Sequence, residues 1–200
     1  MVANVAGYGN LGAIEDTTID DFRAQIETNL FGAINLSKAA IPVLRDQGSG
    51  HIITFSSIGG RRGSTGRAPY SAAKFGVEGF SEVMATELAP LGVKVTIIEP
   101  GGFRTDFAGS SQTIHDVRPE YDSTVGEAAR FQRDYNGKQP GDPDRAAQVV
   151  LKVVGMADPP LRLLLGSDAV RIAQEAEARK ADSDRRWRAL SMSTDFPSGE

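Results

Sequence analysis

The 200-residue chain sets 22 Lys+Arg against 26 Asp+Glu, with 40% hydrophobic and 24% charged residues, the composition of one ordinary globular domain. Its formal charge of -4, with arginines dispersed among carboxylates, leaves no electrostatic footprint for nucleic acid, and its longest apolar runs, such as Val149-Val150-Leu151, fall far short of a membrane span. With no cysteine and two distant histidines, His51 and His115, the chain has no disulfide, thiol nucleophile or metal-ligand spacing, so no metal is expected. A cytoplasmic protein acting on a small molecule is the expectation.

The first element is a short apolar run, Val2-Ala3-Asn4-Val5-Ala6, ending in Gly7-x-Gly9-x-x-Gly12. Literally this is the spacing of a dinucleotide-binding loop. Such a loop, however, opens a helix directly, and an acidic residue ends the next strand roughly 20 residues on. Here Thr17-Thr18 begins a new element and the next strand starts near His51, so the glycines read as a turn after a strand.

Thr18-Ile19-Asp20-Asp21 is a helix start. Phe22, Ile26, Leu30, Ile34, Ala40, Ile41 and Leu44 keep helical spacing over a long helix at 18–47. A buried strand at 51–55, a glycine-rich loop and a helix at 70–88 follow, the last stopped by Pro90 and Gly92. The strand at 93–98 closes at Pro100-Gly101-Gly102. Residues 104–141 read as an irregular substrate loop or lid, too long for a plain connection. A helix from Asp142-Pro143 to about Met156, a strand at 161–165 and a helix from Ser167 complete a single domain over 1–190, with 191–200 as a frayed tail beginning past Trp187. Alternating strands and helices predict an α/β fold, a parallel sheet with helices on both faces. Ligands of such sheets sit beyond the strands' carboxyl ends, where Gly7, Ser56-Ser57 and Pro100-Gly101 lie.

Tyr70 and Lys74 are four residues apart and share a helix face. A free phenol has a pKa of ~10, and lowering it by ~3 units requires ~4 kcal/mol of preference for the phenolate. An ammonium at ~4 Å supplies about that much at an effective dielectric of ~20. Alone, the spacing also suits surface packing. Ser57, thirteen residues upstream at a strand mouth, and Asn29, polar within an amphipathic helix, give it a chemical context.

In order and spacing, Asn4-Val5-Ala6-Gly7, Asn29, Ser57, Tyr70-x-x-x-Lys74 and Pro100-Gly101-Gly102-Phe103-Arg104-Thr105 resemble the short-chain dehydrogenase/reductase family, from about residue 2 to at least 170. Relatives carrying the Glu99-to-Asp106 and Gly166-Ser167-Asp168 stretches are mostly generic oxidoreductases of undefined substrate. The resemblance implies a Rossmann-type sheet and hydride exchange between NAD or NADP and a carbonyl or alcohol. Tyr70 would pass the proton, Lys74 would lower its pKa and bind the nicotinamide ribose, Ser57 would hold the substrate oxygen, and Asn29 would position a water linking Lys74 to solvent. Asn4, Ala6 and Gly7 match the adenosine side of the cofactor site. Pro100, Gly101, Phe103 and Thr105 match its carboxamide side, although Thr105 also reads as a turn cap.

Arg61, Arg62 and Arg67 read as solvated loop charge more readily than as attractors of an acidic substrate, and His115 is unassigned. Family members associate through the two long helices at 18–47 and 70–88, implying a homodimer or homotetramer. Against the family pattern, the Thr-Gly-x-x-x-Gly-x-Gly turn and the first three strands are lacking, so impaired cofactor binding is expected. A truncated reading frame, a complementing chain and a non-catalytic remnant are the explanations weighed, the first being preferred. A binding or scaffold protein that kept the fold is the alternative function. A serine hydrolase lacks its Gly-x-Ser-x-Gly elbow.

Overall fold

Two β-branched runs form the middle of the sheet. Gly50–Phe55 (β2) and Val93–Pro100 (β3) pair in parallel, with Gly50 opposite Val93 and Phe55 opposite Ile98. Val2–Asn4 (β1) lies along the other side of β2, Val2 opposite Ile52 and Asn4 opposite Thr54. Arg162–Leu165 (β4) flanks β3, Ile97 opposite Arg162. The four strands are all parallel, in the order β1-β2-β3-β4. This is a computed structural model, and it describes residues 1–109 and 111–196.

Strand residues alternate between two covered faces, as the pleat dictates. On one face Ile52, Val93 and Val95 pack with Leu44 of helix α2 (Gly32–Asp46) and Met84 and Leu88 of α3 (Ala68–Leu88). On the other, Ile53, Ile98 and Leu165 meet Ala146, Val149, Val150 and Val154 of α5 (Pro143–Val154). Each such large side chain contributes about 1.5–3 kcal/mol on burial. The parallel sheet covered on both faces is thus as the sequence predicts, and all strand carboxyl ends open to one side.

The helix starts follow their caps. Thr18 accepts from Asp21 N at 3.1 Å to open α1 (Ile19–Ile26), with Asp20 and Asp21 in the first turn. Asp142 accepts from Asp144 N and Arg145 N to open α5, with Pro143 in its first turn. The long helix at 18–47 is not uniform, however. Between α1 and α2, Glu27–Phe31 forms a π turn, and such turns gather at functional sites. Asn29 sits inside it, which helical spacing alone cannot reveal.

The segment 104–141 is more regular than its sequence suggests. It holds short turns at Asp106–Ala108, Pro119–Tyr121 and Asp122–Gly126 and then helix α4 (Glu127–Tyr135). Of α4 only Ala129 is buried, so the helix has no broad apolar stripe to betray it. The last helix, α6 (Ser167–Met192), runs past Trp187, and its buried residues are Ala169, Ala173 and Ala176 near its start. Of the expected tail, residues 197–200 lie outside the described residues.

Candidate active site

At the carboxyl ends of β1 and β2, the start of α3 and the π turn converge. Tyr70 and Lys74 lie one turn apart on α3 and are both buried. Lys74 Nζ donates to the Phe55 carbonyl, the last residue of β2, at 2.8 Å. Ser57 caps the turn Ile58–Gly60, its Oγ accepting from Gly59 N at 3.0 Å, and its hydroxyl reaches Tyr70. The structure therefore brings Ser57, Tyr70 and Lys74 together.

Two glycines make room for the phenol. A Cβ at Gly9 would lie 2.9 Å from Tyr70 Cδ2, and one at Gly59 would lie 3.2 Å from Cε1. Gly12 packs likewise on His115, where a Cβ would come within 3.0 Å of Cδ2. The literal Gly7-x-Gly9-x-x-Gly12 match is thus not followed by a helix start, and two of its glycines serve close packing.

Asn29 is a clamp. Its Oδ1 accepts from Tyr8 N at 3.0 Å, while Nδ2 donates to Tyr8 O and to Gln25 O, each at 2.8 Å. Both amide N–H groups are committed, so the Asn29 side chain fixes the Gly7-Tyr8 backbone. At Gly7 a Cβ would be 2.6 Å from Asn29 Oδ1 and 3.4 Å from Lys74 Nζ; the missing side chain leaves space beside the ammonium. The backbone here is exposed at Ala6 and Gly7. Asn4 is instead turned inward, Nδ2 donating to Ser37 Oγ at 3.1 Å.

On the far side, Pro100 ends β3 and Gly101 N donates to Leu165 O at 2.9 Å. Asp168 of α6 accepts from Gly102 N at 2.7 Å and holds this turn. Phe103 pairs with Gly141, and Thr105 caps the turn Asp106–Ala108, its Oγ1 accepting from Phe107 N at 3.4 Å. Phe103 also lines a cavity of about 520 Å³ with Arg104, Leu165 and the start of α5. That cavity lies apart from Tyr70, whose own surroundings are filled by the lid.

The filling group is Phe107, 5.5 Å from the Tyr70 ring between centroids. Arg67 lies over Phe107 and donates to Gln132 Oε1 of α4 at 2.9 Å. Leu11, Ala13, Val125 and Ala129 form a small core between the first loop and the lid. A polar latch joins them as well. Asp21 accepts from Asn10 Nδ2 at 2.8 Å and lies 3.2 Å from His115 Nε2. Arg67 is therefore not solvated loop charge, and neither is Arg61, which pairs with buried Glu99; Arg62 is exposed. Phe107, Arg67 and the latch leave no local mark in the sequence because their partners lie up to 94 residues away.

Burial dominates the electrostatics. It pushes the Tyr70 phenol above its ordinary value, while the Ser57 hydroxyl and the Arg67 charge pull it down. It lowers the Lys74 ammonium to about 8, against the upward pull of Glu78. The expected lowering of Tyr70 by Lys74 is not the governing effect here; packed against Phe107, the phenol is held as a proton donor beside a lysine that titrates at about 8. This arrangement can deliver a proton to a substrate oxygen held by the Ser57 hydroxyl.

Comparison with known proteins agrees with this geometry. Residues 1–115 match the profile of the short chain dehydrogenase family. "Oxidoreductase BOA17" of Botryotinia fuckeliana is 48% identical over 194 residues, covering 97% of this chain and 71% of that protein. An uncharacterized oxidoreductase of Schizosaccharomyces pombe is 32% identical over 177 residues, 88% of this chain and 60% of its own length. A crystal structure of a short-chain dehydrogenase from Streptomyces avermitilis superposes with a TM-score of 0.90 at 37% identity, covering 98% of this chain and 71% of that one. The chain thus spans between three-fifths and three-quarters of these relatives. With the sheet, the Ser57, Tyr70 and Lys74 constellation and these matches in agreement, the chain belongs to the short-chain dehydrogenase/reductase family of oxidoreductases.

Proposed function

We propose that this chain supplies the proton-transfer half of a hydride exchange between a nicotinamide cofactor and a small carbonyl or alcohol. The observation that carries the reading is the cluster of half-buried Ser57 with buried Tyr70 and Lys74 at the strand ends. The Tyr70 hydroxyl donates its proton to the substrate oxygen, and the Ser57 hydroxyl donates a hydrogen bond to the same atom. Lys74, titrating at about 8, returns a proton to Tyr70 near neutral pH. Asn29 keeps Gly7 and Tyr8 in place beside it. Phe107 and the lid exclude water from the reacting atoms.

A nicotinamide fits the residues present. Lys74 makes one hydrogen bond among the described residues, to Phe55 O, which leaves two of its three N–H groups for a ligand's hydroxyls beside Gly7. When bound, the cofactor supplies or accepts the hydride. Ala6 and Gly7 would offer exposed backbone to its adenosine side, Asn4 supporting them from below. Pro100, Gly101, Phe103 and Thr105 would offer backbone and one hydroxyl to its carboxamide side. Transfer of label from C4 of the nicotinamide to the product's carbinol carbon tests the reading.

Among the described residues no strand leads through a Gly-x-x-x-Gly-x-Gly turn into a helix, and at the one glycine joint, Gly166 between β4 and α6, Asp168 already stands in the first turn of the helix, so neither offers a pyrophosphate site. We expect the 200-residue polypeptide to bind NADH or NADPH with a Kd above about 1 mM, weaker than about −4 kcal/mol. Isothermal titration calorimetry checks this, and saturable micromolar binding contradicts it.

We further propose a cytoplasmic homodimer or homotetramer built on the outer faces of α2 and α3. No helix is long and apolar enough to cross a membrane among the described residues. Leu36 and Val43 of α2 and Phe75 and Val83 of α3 are exposed, and such apolar patches mark association surfaces. Val43→Asp is expected to shift the species seen by light scattering to monomer. A chain that is already monomeric, or an unaffected dimer, rejects this interface.

A further inference from the structure

The face of α3 that carries Tyr70 and Lys74 continues one turn further, to Glu78, which is also buried. Tyrosine, lysine and glutamate stand at i, i+4 and i+8, stacked along one side of the helix. Beyond Glu78 is an ion cluster. Glu99 on β3 is wholly buried and accepts from Arg61 Nε at 2.6 Å and Nη2 at 2.8 Å. Arg61 also reaches Glu177 of α6. Arg162 of β4 donates to Glu78 Oε2 at 3.0 Å and to Glu82 at 2.8 Å.

The cluster joins the catalytic turn through a close approach. At Gly60 a Cβ would lie 3.0 Å from Glu78 Cγ and 3.1 Å from the Lys74 carbonyl, so only glycine lets the loop after Ser57 pack there. Glu78 Oε1 is buried without a hydrogen-bond partner among the described residues. Arg162 thus takes one carboxylate oxygen of Glu78 and leaves the other, a costly arrangement unless the charge serves a neighbour. Lys74 faces Tyr70 and Glu78 on its own helix, Asn29 across Gly7, and the Phe55 carbonyl. Glu78 faces Arg162 and Glu99, with Arg61 behind Glu99 and Glu82 behind Arg162.

We propose that Glu78 is a positioning residue for Lys74: its buried carboxylate, one turn along α3, keeps the ammonium charged and set between the Phe55 carbonyl and Tyr70. Burial opposes the ammonium, and Glu78 is the one anion that α3 places on the same buried face. Arg162 pairs with Glu78 and Arg61 with Glu99, whose pKa is raised by burial and by the Glu78 carboxyl beside it, against the pull of Arg61. The inference deepens the reading of Lys74 as the proton source for Tyr70 and rests on that reading only for its catalytic meaning.

The test is a lysine 15Nζ titration of the 200-residue chain, with the Lys74 resonance assigned by its loss in Lys74→Arg. In Glu78→Gln the Lys74 midpoint is expected to fall by about one to two pH units, the size of a unit charge removed ~6–12 Å away at an effective dielectric of ~20. Glu78→Asp, which keeps the charge, is expected to restore most of the midpoint. A merely structural Glu78 would leave the midpoint in place in both variants, and that result overturns the proposal. If Glu78→Gln does not fold, Arg162→Met decides: removing the guanidinium that offsets the Glu78 charge is expected to raise the Lys74 midpoint, and an unchanged midpoint overturns the proposal. The readout requires no turnover, so a failure here is distinct from an inactive Tyr70.

Discussion

Replacing Tyr70 with Phe lowers nicotinamide-dependent turnover by about 10²- to 10⁴-fold, the usual contribution of one positioned proton donor. The ring itself is held by Gly9, Gly59 and Phe107, and Phe keeps every one of these contacts. Only the hydroxyl is lost, and with it the partner of Ser57. The thermal midpoint is therefore expected to move little, since a lost hydrogen bond is worth about 1 kcal/mol net. Turnover is to be measured in a protein that carries a glycine-rich strand-turn-helix unit ahead of Met1. A variant within tenfold of the parent would assign the proton to another group.

Lys74→Met is the second large effect, and it is read in stability against pH. The folded protein holds Lys74 at about 8, down from the ordinary 10.5, chiefly through burial. A depressed ammonium means that the unfolded chain binds the extra proton over this window. Stability of the parent therefore rises as pH climbs from about 8 towards 10.5, while below 8 the full cost of burying the charge is present. The shift corresponds to roughly 3 kcal/mol. In the Met variant this rise disappears. Relative to the parent, the variant is expected to be more stable at pH 7 than at pH 10 by about that amount, to order of magnitude. Urea unfolding of both proteins at several pH values checks it. Parallel pH profiles would mean that Lys74 titrates as an ordinary exposed lysine. Tyr70, whose pKa burial raises, acts in the opposite direction only above pH 10.

The sheet was legible because each strand carries its own signal. His51-Ile52-Ile53-Thr54-Phe55 and the run from Val93 to Ile98 are short, β-branched and bounded by glycine, and they pair as expected. The proposed chemical centre was legible because Tyr70 and Lys74 lie on one helix, where spacing alone fixes their shared face. Long-range polar partners carry no such local mark. Arg67 meets Gln132 across 65 residues and Arg61 meets Glu99 across 38, so both arginines read as loop charge until the chain is folded. Glu78 was within reach, since extending the Tyr70 and Lys74 spacing by one more turn lands on it. The π turn at Glu27–Phe31 was not, because inserting one residue into a helical turn leaves the apolar period nearly intact over so short a stretch.

The proposed function depends on close packing as much as on the reacting groups. Gly9 and Gly59 admit the phenol, Gly7 leaves space at the ammonium, and Gly60 brings the Ser57 loop against Glu78. The lid then covers Tyr70 with Phe107 and is tied down by Arg67, Asn10, Asp21 and His115. A neutral phenol buried beside an ammonium, at the strand ends of a parallel sheet, is the form in which Tyr70 would serve as an acid.

The most direct test of the central claim is label transfer. NADH and NADPH deuterated at C4 are supplied with a panel of small ketones and aldehydes to a protein carrying this chain behind a glycine-rich strand-turn-helix unit, and the alcohols are weighed by mass spectrometry. Alcohols with one deuterium on the carbinol carbon are expected, formed by the parent and lost with Tyr70→Phe. Alcohol formed without deuterium, or labelled alcohol formed equally by the Phe variant, would contradict it.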